Sequence, residues 1–179
     1  YALESIGTTD NIFISKLDAN GNFMWVKQIQ TYAEFARMNL RVDGAGNVYL
    51  TADLNNPADF DPGPGVYMVT PIGFRDVFVL KLDTDGNFVW VKNFGGPGDT
   101  GPQADMIELD QDNNIIIAGI FNRTVDFDPG PGVYNITSSA HMQTFIVKLT
   151  NDGEFIWAKQ FGNGKEPHAW SHISDLRVD

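Results

Sequence analysis

A fifteen-residue phrase, Phe13 to Lys27, reads Phe-Ile-Ser-Lys-Leu-Asp-Ala-Asn-Gly-Asn-Phe-Met-Trp-Val-Lys. Phe78 to Lys92 and Phe145 to Lys159 repeat its Phe, Lys, Gly and Trp positions in the same spacing. Trp25 and Trp90 stand 65 residues apart, Trp90 and Trp157 67 apart. A fixed period of this length is the mark of a repeat architecture, in which each unit is one supersecondary module rather than a domain. It constrains the fold more than any single residue does.

Each unit reads as β. Ile12 to Leu17, Val77 to Leu82 and Phe145 to Leu149 are expected first strands. Asp18-Ala19-Asn20-Gly21-Asn22 and Asp83-Thr84-Asp85-Gly86-Asn87 are expected turns, because Gly meets a φ > 0 position without a steric cost. Phe23 to Gln28, Phe88 to Phe94 and Phe155 to Phe161 return as second strands, with apolar groups on both faces and therefore burial on both sides. A second hairpin follows, Leu40 to Leu50 and its equivalent Ile107 to Ile117. Four strands in about 45 residues match the content of a propeller blade. The remaining residues carry Asp59-Phe60-Asp61-Pro62-Gly63-Pro64-Gly65-Val66-Tyr67, repeated letter for letter from Asp126 to Tyr134. Alternating Pro and Gly predict a tight turn closing a short extra hairpin. Thr31 to Met38 has the composition for a turn of helix, whereas the matching stretch from Gly96 to Pro102 does not.

The expected fold is therefore all-β: propeller blades of four antiparallel strands plus a Pro/Gly-turn hairpin, period about 67. The chain divides into 1–10 as the end of a preceding unit, 11–75 as unit one, 76–142 as unit two and 143–179 as a partial unit three. Tyr1 matches Tyr67 and Tyr134, and Leu176 to Asp179 match Leu40 to Asp43. Both ends fall inside a unit, so an incomplete propeller, a fragment of a longer array, is the expectation. A blade cannot bury both faces alone, and propellers close with about four to eight.

The net charge of −11 speaks against nucleic-acid backbones and anionic membranes as partners. The absence of cysteine excludes a disulfide scaffold and a thiolate metal site. No apolar run reaches the roughly 18 residues of a membrane span.

The combination Lys-Leu-Asp-x-x-Gly-Asn-Phe-x-Trp, Asp-x-x-Gly-Asn-x-Tyr and Asp-Phe-Asp-Pro-Gly-Pro-Gly resembles the bacterial SBBP repeat, named for a seven-bladed β-propeller. The resemblance covers essentially the whole chain. It departs at Thr150, where Asp18 and Asp83 stand in the other units, and at Glu154, where Asn22 and Asn87 stand. It implies a secreted or cell-surface protein of Bacteroidota-type bacteria. Such proteins often carry a type IX secretion sorting domain.

Candidate sites follow from the same motifs. Asp59 and Asp61, like Asp126 and Asp128, flank a Phe and project to one side of a strand, so with backbone carbonyls they could ligate calcium. The competing reading has these carboxylates accepting turn N–H groups while Phe60 and Phe127 plug the blade. The Asp18 and Asp83 turns resemble the opening of a calcium loop but lack its closing Glu, and hairpin chemistry accounts for them. Trp25, Trp90 and Trp157 suit packing between blades, with a sugar platform as the alternative. Gly21, Gly86 and Gly153 are structural turn positions. Lys16, Lys81 and Lys148, with Lys27, Lys92 and Lys159, are expected to pair with carboxylates or lie over the Trp faces. His168 and His172 are spaced by four but lack the Glu of a zinc-protease helix. Asn122 and Asn135 open glycosylation triplets, mute in a bacterial source. No nucleophile elbow, phosphate loop or dinucleotide fingerprint is present.

These observations point to a non-catalytic scaffold. Its variable connections, 29–38, 95–106 and 162–175 with 137–143, would present a protein or glycan ligand. Other subunits or further blades would complete the ring. The alternatives are a spacer in a large adhesin, or cargo of a type IX-like secretion system, and then a propeller glycosidase or lyase.

Overall fold

The computed structural model describes residues 11–30, 37–98, 101–139, 142–162, 173 and 175–178. Residues 31–36 of the expected helical turn, and His168 to His172, lie outside the described residues. β1 (Asn11–Leu17) and β2 (Phe23–Gln30) form a hairpin, then β3 (Asn39–Val42) and β4 (Val48–Leu54), then the short pair β5 (Ala58–Asp59) and β6 (Met68–Val69). The same succession returns as β7 (Asp76–Leu82) and β8 (Phe88–Phe94), β9 (Gln103–Leu109) and β10 (Ile115–Phe121), β11 (Thr124–Asp126) and β12 (Asn135–Thr137). β13 (Gln143–Leu149) and β14 (Phe155–Phe161) follow. The described residues contain no helix.

All strand pairs are antiparallel, and the phase of pairing is the main result of the fold. Three four-stranded sheets form: sheet I (β1-β2-β5-β6), sheet II (β3-β4-β7-β8) and sheet III (β9-β10-β13-β14). Sheets II and III are blade-type meanders. Each joins the second hairpin of one repeat to the first hairpin of the next, rather than the four strands that are consecutive within a unit. The reason is visible in the register: β4 runs fully paired along β7, from Val48↔Leu82 to Leu54↔Asp76. All seven residues of β4, of β7 and of β10 are buried. Such two-sided apolar strands must lie in the middle of a sheet with neighbours on both faces.

The Pro/Gly hairpin is inserted between the two middle strands of a sheet but pairs elsewhere. β5–β6, which interrupts sheet II, adds to β2 of sheet I through Gln30↔Asp59. β11–β12, which interrupts sheet III, joins the end of β8 in sheet II through Gly95↔Asp126. Sheets II and III thus each clip a hairpin onto the outer edge of the sheet before them. This covers an edge strand that would otherwise present unpaired backbone groups.

The core lies between sheets. Val48, Leu50, Ala52, Leu54, Phe78 and Leu80 of sheet II face Ile12, Ile14 and Ile29 of sheet I. Tyr49, Val77, Val79 and Phe94 on the opposite face meet Ile107, Ile115, Phe145 and Val147 of sheet III. Phe60 and Phe127, from the clip hairpins, are fully buried in these two layers. Neighbouring sheets approach where β9 packs on β3 and β4, as inner strands of successive blades do.

Candidate functional site

Each sheet has two unlike ends. One end carries the tight hairpin turns. The other carries the sheet-to-sheet connections, where β3 starts, β4 ends, β7 starts and β8 ends.

At the turn end the repeated polar residues are committed to local bonds. Asp18 Oδ1 accepts from the N–H groups of Asn20 and Asn22, both at 2.8 Å, and its Oδ2 accepts from Asn22 Nδ2. Asp43, Asp83 and Asp110 repeat this arrangement. The hydrogen bonds favour the ionised form, so the Asp18 carboxyl sits below its ordinary value through Asn22. In Asp110 these bonds and Lys148, at 2.7 Å, outweigh the opposing effect of burial and bring the pKa to about 2. Thr150, the departure in the third unit, accepts the same two N–H groups through Oγ1 at 3.3 and 3.1 Å.

The turns also seat against the preceding sheet. Lys16 Nζ donates to Thr84 O at 2.8 Å, and Trp25 Nε1 donates to the same carbonyl at 3.0 Å. One unit on, Lys81 Nζ donates to Asn151 O at 3.0 Å. Gly86 and Gly153 have φ of 75° and 79°. A Cβ at Gly86 would stand 2.7 Å from Lys27 Cε, and one at Gly153 would stand 2.9 Å from Lys92 Cγ. Positive φ and close approach therefore both demand glycine there. Trp90 packs on the core between sheets II and III, edge-on to Tyr49 at 6.5 Å. Trp25 packs on the core between sheets I and II. Trp157 is half-buried on β14.

In the clip hairpins Asp59 Oδ1 accepts from Asp61 N at 3.1 Å and Tyr67 N at 2.8 Å, and Asp61 Oδ1 from Gly63 N at 2.8 Å. Asp126 and Asp128 bind Asp128 N, Tyr134 N and Gly130 N in the same way. Among the described residues no group of three or more His, Cys, Asp or Glu is placed to hold a metal ion. Tyr67 stacks on Phe88 at 4.7 Å, and Tyr134 on Phe155 at 4.8 Å. A cavity of about 450 Å³ opens beside the clip, lined by Tyr67, Thr70, Trp90, Lys92 and Pro129 among others.

The connection end holds charges that the repeat pattern does not announce. Asp53 is 3% exposed, with Arg75 Nε 3.8 Å from its Oδ2. Burial drives its pKa up to about 6 against the opposing pull of Arg75 and the Ala104 N–H. Asp105 pairs with Arg37, and Asn39 Nδ2 donates to the Asp105 carbonyl at 2.7 Å. Asp76, fully buried and likewise pushed up by burial, accepts from Ile72 N at 2.9 Å and Asn93 Nδ2 at 2.6 Å. On the inner strands Arg41 makes a two-pronged pair with Glu108, at 2.9 and 2.6 Å. Sequence reasoning passed over this network. Its one signal was Asp53 interrupting the apolar run from Val48 to Leu54.

No protein-family profile matches the chain. The chain is 24% identical, over 89% of its length, to an uncharacterized WD repeat-containing protein of Acanthamoeba polyphaga mimivirus. It spans only 13% of the length of that relative. The similarity and the blade-type sheets agree on a β-propeller-like repeat.

Proposed function

We propose that the chain is a non-catalytic β-propeller scaffold that binds a protein partner through the connection end of its sheets. One observation carries this reading. The repeated Asp and Asn positions, with Lys16, Trp25 and Lys81, are spent on turns and sheet junctions, while the strand ends that bound the differing segments lie at the opposite end. The WD-repeat name of the mimiviral relative supports the same class. An exported bacterial setting, with a protein or glycan as ligand, rests on the resemblance of the repeats. A pull-down and a glycan array, run with the native chain and with connection 95–102 exchanged for its counterpart between β2 and β3, test the reading. Binding that depends on the exchanged segment is expected. Absence of any ligand, or binding indifferent to the exchange, overturns it.

The clip favours a second reading, a spacer. A hairpin that belongs to one sheet and pairs with another ties neighbours along the array. Forced unfolding in which sheets I and II release together would support it, and independent release would remove it.

A further inference from the structure

The cavity beside the clip is bordered by two strand edges. Its lining takes four consecutive residues of β8, Trp90 to Asn93, and four more that run through β6, Tyr67 to Thr70. A strand shows every second residue on a face, so an unbroken run lines a cavity along its edge. β8 is the last strand of sheet II and β6 the last of sheet I. The second clip covers the β8 edge at its end, where Asp126 N donates to Gly95 O at 2.8 Å. Along Trp90–Asn93 no strand among the described residues pairs with that edge. Tyr67, stacked on Phe88, and Pro129 of the second clip bound this length. Sheet II shares a core with a neighbouring sheet on each face, so the cavity depends on neither end of the chain. Lys92 is the one charged residue among the described lining. Its pair with Glu154 is 3.5 Å long, and the Glu154 side chain is 60% exposed. An exposed pair of this kind holds the ammonium weakly.

We propose that this cavity binds an extended peptide, which adds to β8 as a further strand. An open sheet edge takes such a strand through main-chain hydrogen bonds, and alternate side chains supply the specificity. The clip already pairs with this edge at Gly95, so the peptide continues a pairing that the molecule itself uses. Four residues at about 3.3 Å each give room for a strand of about 13 Å. The volume of about 450 Å³ is that of an ordinary ligand pocket. The alternation of β8 sets the side chains. Trp90 packs on the core shared with sheet III, and Lys92 reaches Glu154 beside it. Val91 and Val69 belong to the core shared with sheet I. The peptide residue next to Lys92 is therefore Asp or Glu, and those before and after it, turned toward Met68 and Val69, are apolar. The site lies along the outer edge of sheet II, apart from the connection end, and so goes beyond the scaffold reading.

Selection from a phage-displayed library of random peptides tests it. The enriched sequences are expected to alternate apolar with polar residues and to carry Asp or Glu. A synthetic peptide of the consensus sequence then serves as the probe. On binding, amide hydrogen exchange should slow in β8 between Trp90 and Asn93, as strand addition requires. An ester in place of one central amide of the peptide should weaken binding about two- to tenfold. Lys92→Glu should weaken it about tenfold or more, and Thr70→Trp, which puts bulk into the cavity, should abolish it. Lys159→Glu, at the same position of β14, should change nothing. Melting curves check that the variants are folded. No enriched peptide, binding without slowed exchange in β8, or binding indifferent to both Lys92→Glu and Thr70→Trp would each overturn the proposal. So would an acidic oligosaccharide that binds where no peptide does, which would make the cavity a glycan site. Peptide binding with no ligand at the connection end would fail only the scaffold's ligand reading, and the converse would fail only the groove.

Discussion

Gly21 and Gly86 occupy the same turn position, with φ of 81° and 75°, yet only Gly86 has a neighbour within reach of a Cβ. The pair separates backbone strain from close packing. Gly21→Ala should cost about 1 kcal/mol, the left-handed penalty alone. Gly86→Ala should cost about 1–3 kcal/mol more, since the Lys27 stem and Trp25 must move. Denaturant titration of the two variants reads the difference, and equal losses would mean that the junction yields freely. Asp53 makes the second prediction at this scale. Its folded pKa of about 6 lies above the ordinary 3.8. Between those values the folded state therefore holds a proton that the unfolded state has lost, and stability falls as pH rises. Asp53→Asn should match the native chain near pH 3.8, gain between there and pH 6, and level off above, about 1–3 kcal/mol more stable at neutral pH. Melting temperatures across that range decide it. The turn Gly was legible in the sequence because Asp-x-x-Gly between strands is a local code. The Asp53 site was not, because its partners Arg75 and Ala104 belong to a connection and to a different sheet.

The clip hairpin is the element whose chemistry the two sequence readings disputed, calcium ligand against turn cap. An oxygen of each of Asp59, Asp61, Asp126 and Asp128 accepts at least one backbone N–H. Asp59→Ala should loosen the turn and cost about 1–2 kcal/mol. EDTA should leave the melting temperature unchanged, while a rise on adding calcium would place the metal at these turns. The strands themselves were readable from alternation and turn signals, to within four residues at the ends. The hairpin's existence was readable as well. Its destination was not: nothing in Ala58–Asp59 encodes pairing with the end of β2 rather than with its own sheet, because edge pairing uses backbone groups common to every residue.

For the whole molecule, the stacking of sheets predicts coupled stability. Trp90 belongs to sheet II but packs on the core it shares with sheet III. Trp90→Ala should cost about 3–5 kcal/mol, on the scale of large aromatic truncations. Hydrogen exchange should show protection lost in both sheets together. A loss under about 0.5 kcal/mol, within the range of ordinary surface changes, would return the Trp to the platform reading. The sequence by itself determined the period, the strands, the turns and the all-β class, since these follow from side-chain alternation and from φ preferences that act within a few residues. Only the tertiary structure decided which hairpins share a sheet, where the clips attach and which charges meet at the connection end. A repeat in sequence has no intrinsic starting point. Its phase is chosen by the burial of β4 against β7 on both faces, an energy that exists only once neighbouring sheets are in place.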